Sequence, residues 1–227
     1  MDRLETAHLL DALCEESERS EPRAREALLT VAILFANLGE CNFVTDLRAC
    51  ALAEHLLSLD RLLRPAPPRA DHTEALEDQR VPDYGVGREL TLGERRSLAR
   101  RPNRRDFDRL LADPHPMVIR QLLLNPRLTE DDVVRLATKR PARVPLLQEI
   151  AACPRWLCQP RIRLSIIFNP GAPASLVMPL LGLCTRSELV QVVENTTSSK
   201  VLRATARELL ERRPPLGEPD EADFVLQ

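Results

Sequence analysis

The sequence predicts an all-α protein, and three observations lead to this prediction. Only 3% of the 227 residues are aromatic, so the core must be built from Leu, Ala, Val and Ile. These residues recur at helical spacing along most of the chain. Nineteen prolines against seven glycines are typical of many short helices with abrupt ends.

Residues 1–64 are predicted to form an N-terminal helical bundle. Apolar spacing indicates a helix over residues 3–17, a second that begins near Pro22, and a third over residues 43–63. His55 falls on the apolar stripe of the third helix. The second helix is apolar on nearly all sides, which predicts a central position in the bundle.

Two segments break this helical pattern. Residues 65–88 are rich in proline and net acidic, which indicates an extended linker. Residues 214–227 are acidic as well, and they are predicted to be a disordered tail. Residues 89–213 between them are predicted to form an α-helical repeat domain.

Capping signals mark several helix starts within residues 89–213. Thr91–Glu94 and Thr185–Glu188 have the spacing of a capping box, and Thr129 precedes three acidic residues at a helix start. Asp113 is predicted to be the N-cap of a helix that has Pro114 in its first turn.

The motif "LLLNPRLTEDDVVRL", residues 122–136, has a second copy 44 residues later in "IIFNPGAPASLVMPL", residues 166–180. Both copies place Asn-Pro between two apolar helices. The repeated unit is three short helices. The predicted sets are 103–112, 114–124 and 129–139; then 142–152, 158–168 and 172–183; then an incomplete set of 186–194 and 199–212.

A unit of about 40 residues with two or three helices resembles HEAT and armadillo repeats. The Asn-Pro turns after short helices also resemble those of bacterial leucine-rich repeat variant proteins. The resemblance covers residues 91–213, and it implies a short HEAT-like α-solenoid that offers an extended surface to a partner. The variant family's shorter repeat and its iron–sulfur cysteine cluster have no counterpart here, so no functional residue is carried over.

Asn125 and Asn169 have a structural interpretation and a functional one. Proline disfavours α geometry in the residue before it, so Asn-Pro ends a helix, and the Asn side chain can satisfy nearby backbone groups. The alternative is a ladder of polar side chains inside a binding groove. The sequence favours the structural interpretation.

Charge is distributed unevenly along the chain. Residues 88–213 carry 23 basic and 13 acidic side chains, whereas the segments on both sides are net acidic. Thirty of the 32 basic residues are arginine, which a GC-rich genome would also produce. The densest cluster consists of Arg95, Arg96, Arg100, Arg101, Arg104, Arg105 and Arg109.

Three interpretations of this arginine cluster stay open. It is a face that water or the chain's own acidic segments cover, a contact for an acidic partner protein, or a nucleic-acid contact that neutralises phosphates. The scarcity of interleaved aromatic residues disfavours nucleic acid. Trp156 is a further candidate contact, because tryptophan is enriched at binding hot spots, although a core position fits it equally.

Metal and redox chemistry find little support in the sequence. Cys41, Cys50 and His55 lack the tight paired spacing of a zinc site, and no cofactor or metal is expected. Cys153 and Cys158 do not form a CxxC pair. The six cysteines are expected to be reduced thiols, mostly in the core, of a cytoplasmic protein.

The sequence also contains no GxSxG, P-loop or GxGxxG motif. A HEAT-like DNA glycosylase, which would need aromatic residues around a flipped base, is the remaining enzyme hypothesis. The longest apolar stretch is too short for a bilayer, so no membrane contact is expected. The sequence therefore predicts a non-catalytic bacterial adaptor that binds a partner protein, with nucleic-acid binding as the alternative. A homodimer through the N-terminal bundle is compatible with this prediction.

Overall fold

The computed structural model is all-helical, as predicted, and it describes residues 2–38, 41–66 and 80–213. The side chains of Arg104 and Arg105 lie outside this description. These residues contain 14 helices and no strand. The helices are α1 (Arg3–Glu18), α2 (Pro22–Leu38), α3 (Asn42–Ala53), α4 (Leu57–Leu63), α5 (Leu92–Arg100), α6 (Arg104–Ala112), α7 (Pro116–Leu123), α8 (Glu130–Thr138), α9 (Val144–Ala151), α10 (Pro154–Leu157), α11 (Pro160–Ile167), α12 (Ala174–Leu183), α13 (Arg186–Glu194) and α14 (Lys200–Arg212).

None of the helices in these ranges combines the length and the apolar character that crossing a bilayer requires. Residues 67–79 of the predicted linker and the whole predicted tail, residues 214–227, lie outside the described residues.

The prediction of one helix over residues 43–63 is wrong. The chain breaks at His55, which is exposed and has a φ of +56°, and α4 starts in a new direction. The carboxylate of Asp11 accepts hydrogen bonds from the backbone N–H groups of Ser58 at 3.0 Å and Leu59 at 2.8 Å. Asp11 on α1 thus caps α4 from 47 residues away, which explains why local spacing did not reveal the break.

The predicted helix starts at Thr91, Thr129 and Thr185 are confirmed. In each case the threonine side chain accepts from the third residue of the helix, and that residue's carboxylate accepts from the threonine backbone N–H. The prediction for Asp113 is wrong, because His115 is the N-cap of α7 and Asp113 ends α6.

Helices between residues 92 and 183 pack both on the next helix and on partners that lie two or three elements away. Helix α5 packs against α7, and α7 packs against α9. Helix α8 packs against both α9 and α11, and α11 packs against α12. The predicted helix over residues 158–168 begins at Pro160, and the short α10 precedes it.

The two Asn-Pro corners make equivalent tertiary contacts. The Asn125 side-chain N–H group donates to the carbonyl of Arg100 at 3.2 Å, at the end of α5. The Asn169 side-chain N–H group donates to the carbonyls of Ala137 at 2.7 Å and Lys139 at 3.2 Å, at the end of α8. Each Asn therefore satisfies carbonyl groups at the end of an earlier helix, in addition to ending its own.

The N-terminal helices pack against the far end of this stack. Helices α2 and α4 both contact α12, and one continuous cluster of buried residues runs from α1 to α14. Gly182 permits the close approach of α12 to α2, since a Cβ atom there would lie 2.9 Å from Leu28 Cδ2.

Arg213, directly after α14, joins the two ends of the chain. Its side chain is buried and donates to the carbonyl oxygens of Ser17 and Glu18 at the end of α1. It also donates to the carbonyls of Gly182 at 2.6 Å and Cys184 at 3.1 Å, at the end of α12. Burial lowers the pKa of Arg213 to about 10, so the guanidinium still carries its charge at neutral pH.

We expect Asn125→Ala and Asn169→Ala each to lower the free energy of unfolding by about 1–3 kcal/mol, because buried carbonyl groups lose their donors. Urea unfolding, followed by the fluorescence of the single tryptophan, Trp156, measures this change. Asn37→Ala is the control, since Asn37 is exposed and donates only within α2. It should change the stability by less than about 0.5 kcal/mol. Equal losses in all three variants would contradict the proposed role of the corners.

Candidate functional site

The structure divides the arginine cluster predicted from residues 95–109 between opposite ends of helix α5. Arg95 lies in the first turn of α5 and Arg109 near the end of α6. Arg100 and Arg101 lie at the other end of α5, and both are exposed. Arg96 is half-buried, and its Nε has no hydrogen-bond partner among the described residues. The cluster is therefore contiguous in sequence but is not one surface.

Arg95 is part of a buried polar cluster. Its guanidinium contacts both carboxylate oxygens of Asp113, at 2.8 and 2.7 Å, and is only 7% exposed. The Asp113 carboxylate also accepts from the hydroxyl of Tyr84 at 2.7 Å and the backbone N–H of His115 at 2.9 Å. Asp113, though not an N-cap, thus holds three segments of the chain together, and Arg95 is not available to a partner.

The same cluster anchors part of the predicted linker. Tyr84 is 5% exposed, and its carbonyl oxygen accepts from Arg109 Nη1 at 2.8 Å. Residues around Tyr84 are therefore held against the start of α7 and the end of α6. Burial and the neighbouring Asp113 carboxylate raise the pKa of the Tyr84 phenol well above its ordinary value.

A second group of arginines surrounds the Asn125 corner. The Arg100 carbonyl accepts from the Asn125 side chain, and the Asn125 side-chain oxygen accepts from the backbone N–H of Arg127 at 2.9 Å. Arg155 Nη1 donates to the Asn125 carbonyl at 3.4 Å. The ends of α5 and α7 and the start of α10 therefore meet at one asparagine.

Trp156 supports this corner from the inside. It is 4% exposed, and its ring N–H donates to the Leu123 carbonyl at 2.8 Å. The Arg155 guanidinium lies over the ring at 4.3 Å from its centroid. The sequence left two interpretations of Trp156 open, a core position and a partner contact. The structure places Trp156 in the core, where its ring supports the Arg155 guanidinium.

We call the surface formed by Arg100, Arg101, Leu124, Arg127 and Arg155 the corner face. All five residues are exposed, and Leu124 is 64% exposed. Among the described residues, no carboxylate forms an ion pair with these four guanidinium groups, since Arg161 pairs with the nearby Asp131 and Glu130. The corner face therefore presents four guanidinium groups without an ion-pair partner among the described residues, beside an exposed apolar side chain.

Sequence reasoning missed three members of the corner face: Leu124 and two of its four arginines. Arg127 lies 18 residues beyond Arg109, the last arginine of the predicted cluster, and Arg155 lies further still. The available signal was their position, because Arg127 follows an Asn-Pro pair and Arg155 precedes the single tryptophan. Spacing along the chain could not place both residues beside Arg100.

Arg127 also lines a polar cleft of about 530 Å³ between α6 and α8. Asp108 and Asp132 line the same cleft, but they lie 3.5 Å and 4.0 Å from Arg135. The carboxylates of the cleft are thus partly neutralised by Arg135, and they leave Arg127 unpaired.

The cysteine thiols and the possible metal ligands are spread over the described part of the chain. No group of three His, Cys, Asp or Glu residues within it is arranged to hold a metal ion. All six cysteines are free; Cys14 and Cys184 are buried, whereas Cys158 is exposed. Burial raises the pKa of Cys153 and raises that of Cys184 to about 12, the opposite of what an activated thiol requires.

Comparison with known proteins gave no relative. A scan against protein-family models, a search of curated proteins and a search of solved structures each found no match to this chain. Function is therefore inferred from the geometry and charge of the chain's own surfaces.

Tyr84 is the only tyrosine in the sequence, so its ionisation can be measured directly. We expect the phenolate absorbance of the native protein to rise only well above pH 10.0, the ordinary pKa. Because the pKa is raised in the folded state, this contribution to stability is complete below pH 10 and is lost as the pH rises beyond it. The same titration in concentrated urea is the control and should give the ordinary pKa. A native transition at the ordinary pKa would contradict the burial of Tyr84.

Proposed function

We propose that the protein is a non-catalytic adaptor that binds an acidic segment of a partner protein on the corner face. The observation that carries this proposal is the set of four exposed guanidinium groups, from three different helix ends, that no described carboxylate neutralises. Exposed arginines without an ion-pair partner favour carboxylates, because the planar guanidinium matches a carboxylate with two parallel hydrogen bonds.

The chemistry of the partner follows from what lies beside the arginines. Leu124 projects from the end of α7 with 64% of its surface exposed. An exposed leucine among cations fits a partner segment that mixes acidic and apolar residues better than one that is acidic alone. Such a segment would gain both ion pairs and apolar burial on this face.

We also propose that helices α5–α14 form a short α-solenoid of the HEAT-like type. The packing of α5 on α7, α7 on α9 and α8 on α11 supports this arrangement, as do the equivalent Asn125 and Asn169 contacts. Repeat stacks of this kind offer extended surfaces for binding other proteins. The N-terminal helices would cap one end, where α2 and α4 contact α12.

Nucleic-acid binding is the second candidate, and the same four arginines favour it. Phosphate groups are neutralised by exposed guanidinium groups as readily as carboxylates are. However, the one tryptophan is buried beneath Arg155, and the corner face includes no aromatic side chain on which a base would stack. We therefore place the acidic protein segment first.

The variant Arg100→Ser/Arg127→Ser tests the proposal. The probe is a fluorescein-labelled peptide in which aspartate and glutamate residues flank two leucines, and binding is followed by fluorescence anisotropy at low ionic strength. Two exposed ion pairs, each worth about 0.5–1 kcal/mol, should be lost. We expect binding to weaken by about five- to thirtyfold.

Arg23→Ser/Arg207→Ser is the matched control, because it removes the same charge from exposed arginines on α2 and α14. This control should bind the peptide as the original protein does. Equal weakening in both variants would mean that net charge alone attracts the peptide, and the proposed site would be rejected.

A duplex DNA of random sequence, titrated with salt, decides between the two candidates. If nucleic acid is the natural ligand, the DNA binds more tightly than the peptide. The slope of log affinity against log salt should then fall by about two in Arg100→Ser/Arg127→Ser, close to 0.9 for each lost phosphate contact. Binding of the peptide without measurable binding of the DNA would support the adaptor.

A further inference from the structure

An apolar groove of about 390 Å³ is formed by residues other than those of the corner face. It is formed by the end of α2, by α3, by the end of α4 and by the start of α12. Phe35 and Leu62 are buried in its walls, whereas Leu52 is 53% exposed. An apolar surface of this kind favours a ligand that covers it.

Two arginines line the same groove, and they are satisfied to different degrees. Arg64 is paired, since it donates to Glu208 at 2.9 Å and to Asp60 at 3.3 Å. Arg48 Nε is buried, lies 3.8 Å from the Asp60 carboxylate, and has no hydrogen-bond partner among the described residues. The Arg48 side chain as a whole is 35% exposed, so the groove combines apolar walls with a guanidinium whose outer N–H groups are open to a further carboxylate.

We propose that this groove binds residues 214–227 of the same chain. That segment lies outside the described residues, but its sequence matches the groove. It contains four acidic and no basic residues, and the apolar run Phe224, Val225 and Leu226 follows directly after Asp223. The apolar run would enter the groove, and a neighbouring carboxylate, Glu221 or Asp223, would accept from the outer N–H groups of the Arg48 guanidinium.

The segment starts close enough to reach the groove. Arg213 contacts the carbonyls of Gly182 and Cys184 at one end of α12, and Ala174 at the other end of α12 lines the groove. The ten residues of α12 span about 15 Å at a rise of about 1.5 Å per residue. Phe224 lies 11 residues after Arg213, and an extended chain of that length spans about 36 Å. The apolar run therefore reaches the groove with chain to spare.

Binding within one chain has a measurable consequence. A tethered segment acts at an effective concentration of the order of millimolar, so it competes strongly with the same segment added free in solution. A fluorescein-labelled peptide of residues 214–227 is the probe, and the full chain is used throughout. We expect this peptide to bind at least about tenfold more tightly to Phe224→Asp/Leu226→Asp than to the original protein.

To test the groove itself, Leu52→Glu is added to the Phe224→Asp/Leu226→Asp variant. This change should weaken binding of the labelled peptide more than about tenfold. Leu9→Glu is the matched control, because Leu9 is a similarly exposed leucine, 57% against 53%, on α1. Leu9→Glu should leave peptide binding unchanged. A peptide with both Phe224 and Leu226 replaced by alanine should not compete, and this measurement needs no change in the folded chain.

Four results would overturn the proposal. One is equal peptide affinity for the original protein and Phe224→Asp/Leu226→Asp, and another is binding that Leu52→Glu and Leu9→Glu affect equally. The third is a dimer in sedimentation that Leu52→Glu dissociates, since a second copy would then occupy the groove.

The peptide is acidic and apolar, as is the segment proposed for the corner face, so its binding is also measured in Arg100→Ser/Arg127→Ser with Phe224→Asp/Leu226→Asp. Unchanged binding there supports the groove. Loss of binding there, the fourth result, would place the segment on the corner face and overturn the proposal.

Discussion

Unpaired carbonyl groups at the ends of short helices are the constraint that organises this protein. A helix leaves its last four carbonyls without partners inside the helix, and most helices here have only seven to ten residues. Asn125, Asn169 and Arg213 supply donors to such groups from distant parts of the chain. Further donors of the same kind are Arg25 to Leu183, Arg143 to Ala112 and Arg186 to Leu210. Tertiary contacts of this type also fix which helix ends meet.

The same constraint explains what many of the arginines do. A guanidinium carries several N–H donors in one plane, so a single side chain can bridge two helix ends, as Arg213 does between α1 and α12. Other arginines are buried in ion pairs with carboxylates. These pairs are Arg61 with Glu18, Arg95 with Asp113 and Arg163 with Glu188. A bias in genome composition could supply arginines, but it does not account for these positions. Much of the basic charge is structural, which gives the few unpaired arginines of the corner face more weight.

The two proposed binding surfaces lie on different helices and have different chemistry. The corner face belongs to the ends of α5 and α7 and to α10, and it is cationic with one exposed leucine. The groove belongs to α2, α3, α4 and α12, and it is largely apolar with one unsatisfied arginine donor. A continuous buried core links them. This arrangement suits an adaptor, because one surface can be covered by the chain itself while the other remains open to a partner.

The sequence by itself determined the helical class, the capped starts at Thr91, Thr129 and Thr185, and the helix ends at Asn125 and Asn169. Each of these depends on residues within a few positions of one another, so spacing is sufficient to reveal it. Only the tertiary structure separated Arg95 from Arg100, because the two ends of one short helix face different neighbours. It alone brought Arg155 to Arg100, and it alone broke the third predicted helix at His55. In those cases the deciding hydrogen bonds join residues 18 to 48 positions apart, and contacts at that distance leave no periodic pattern in the sequence.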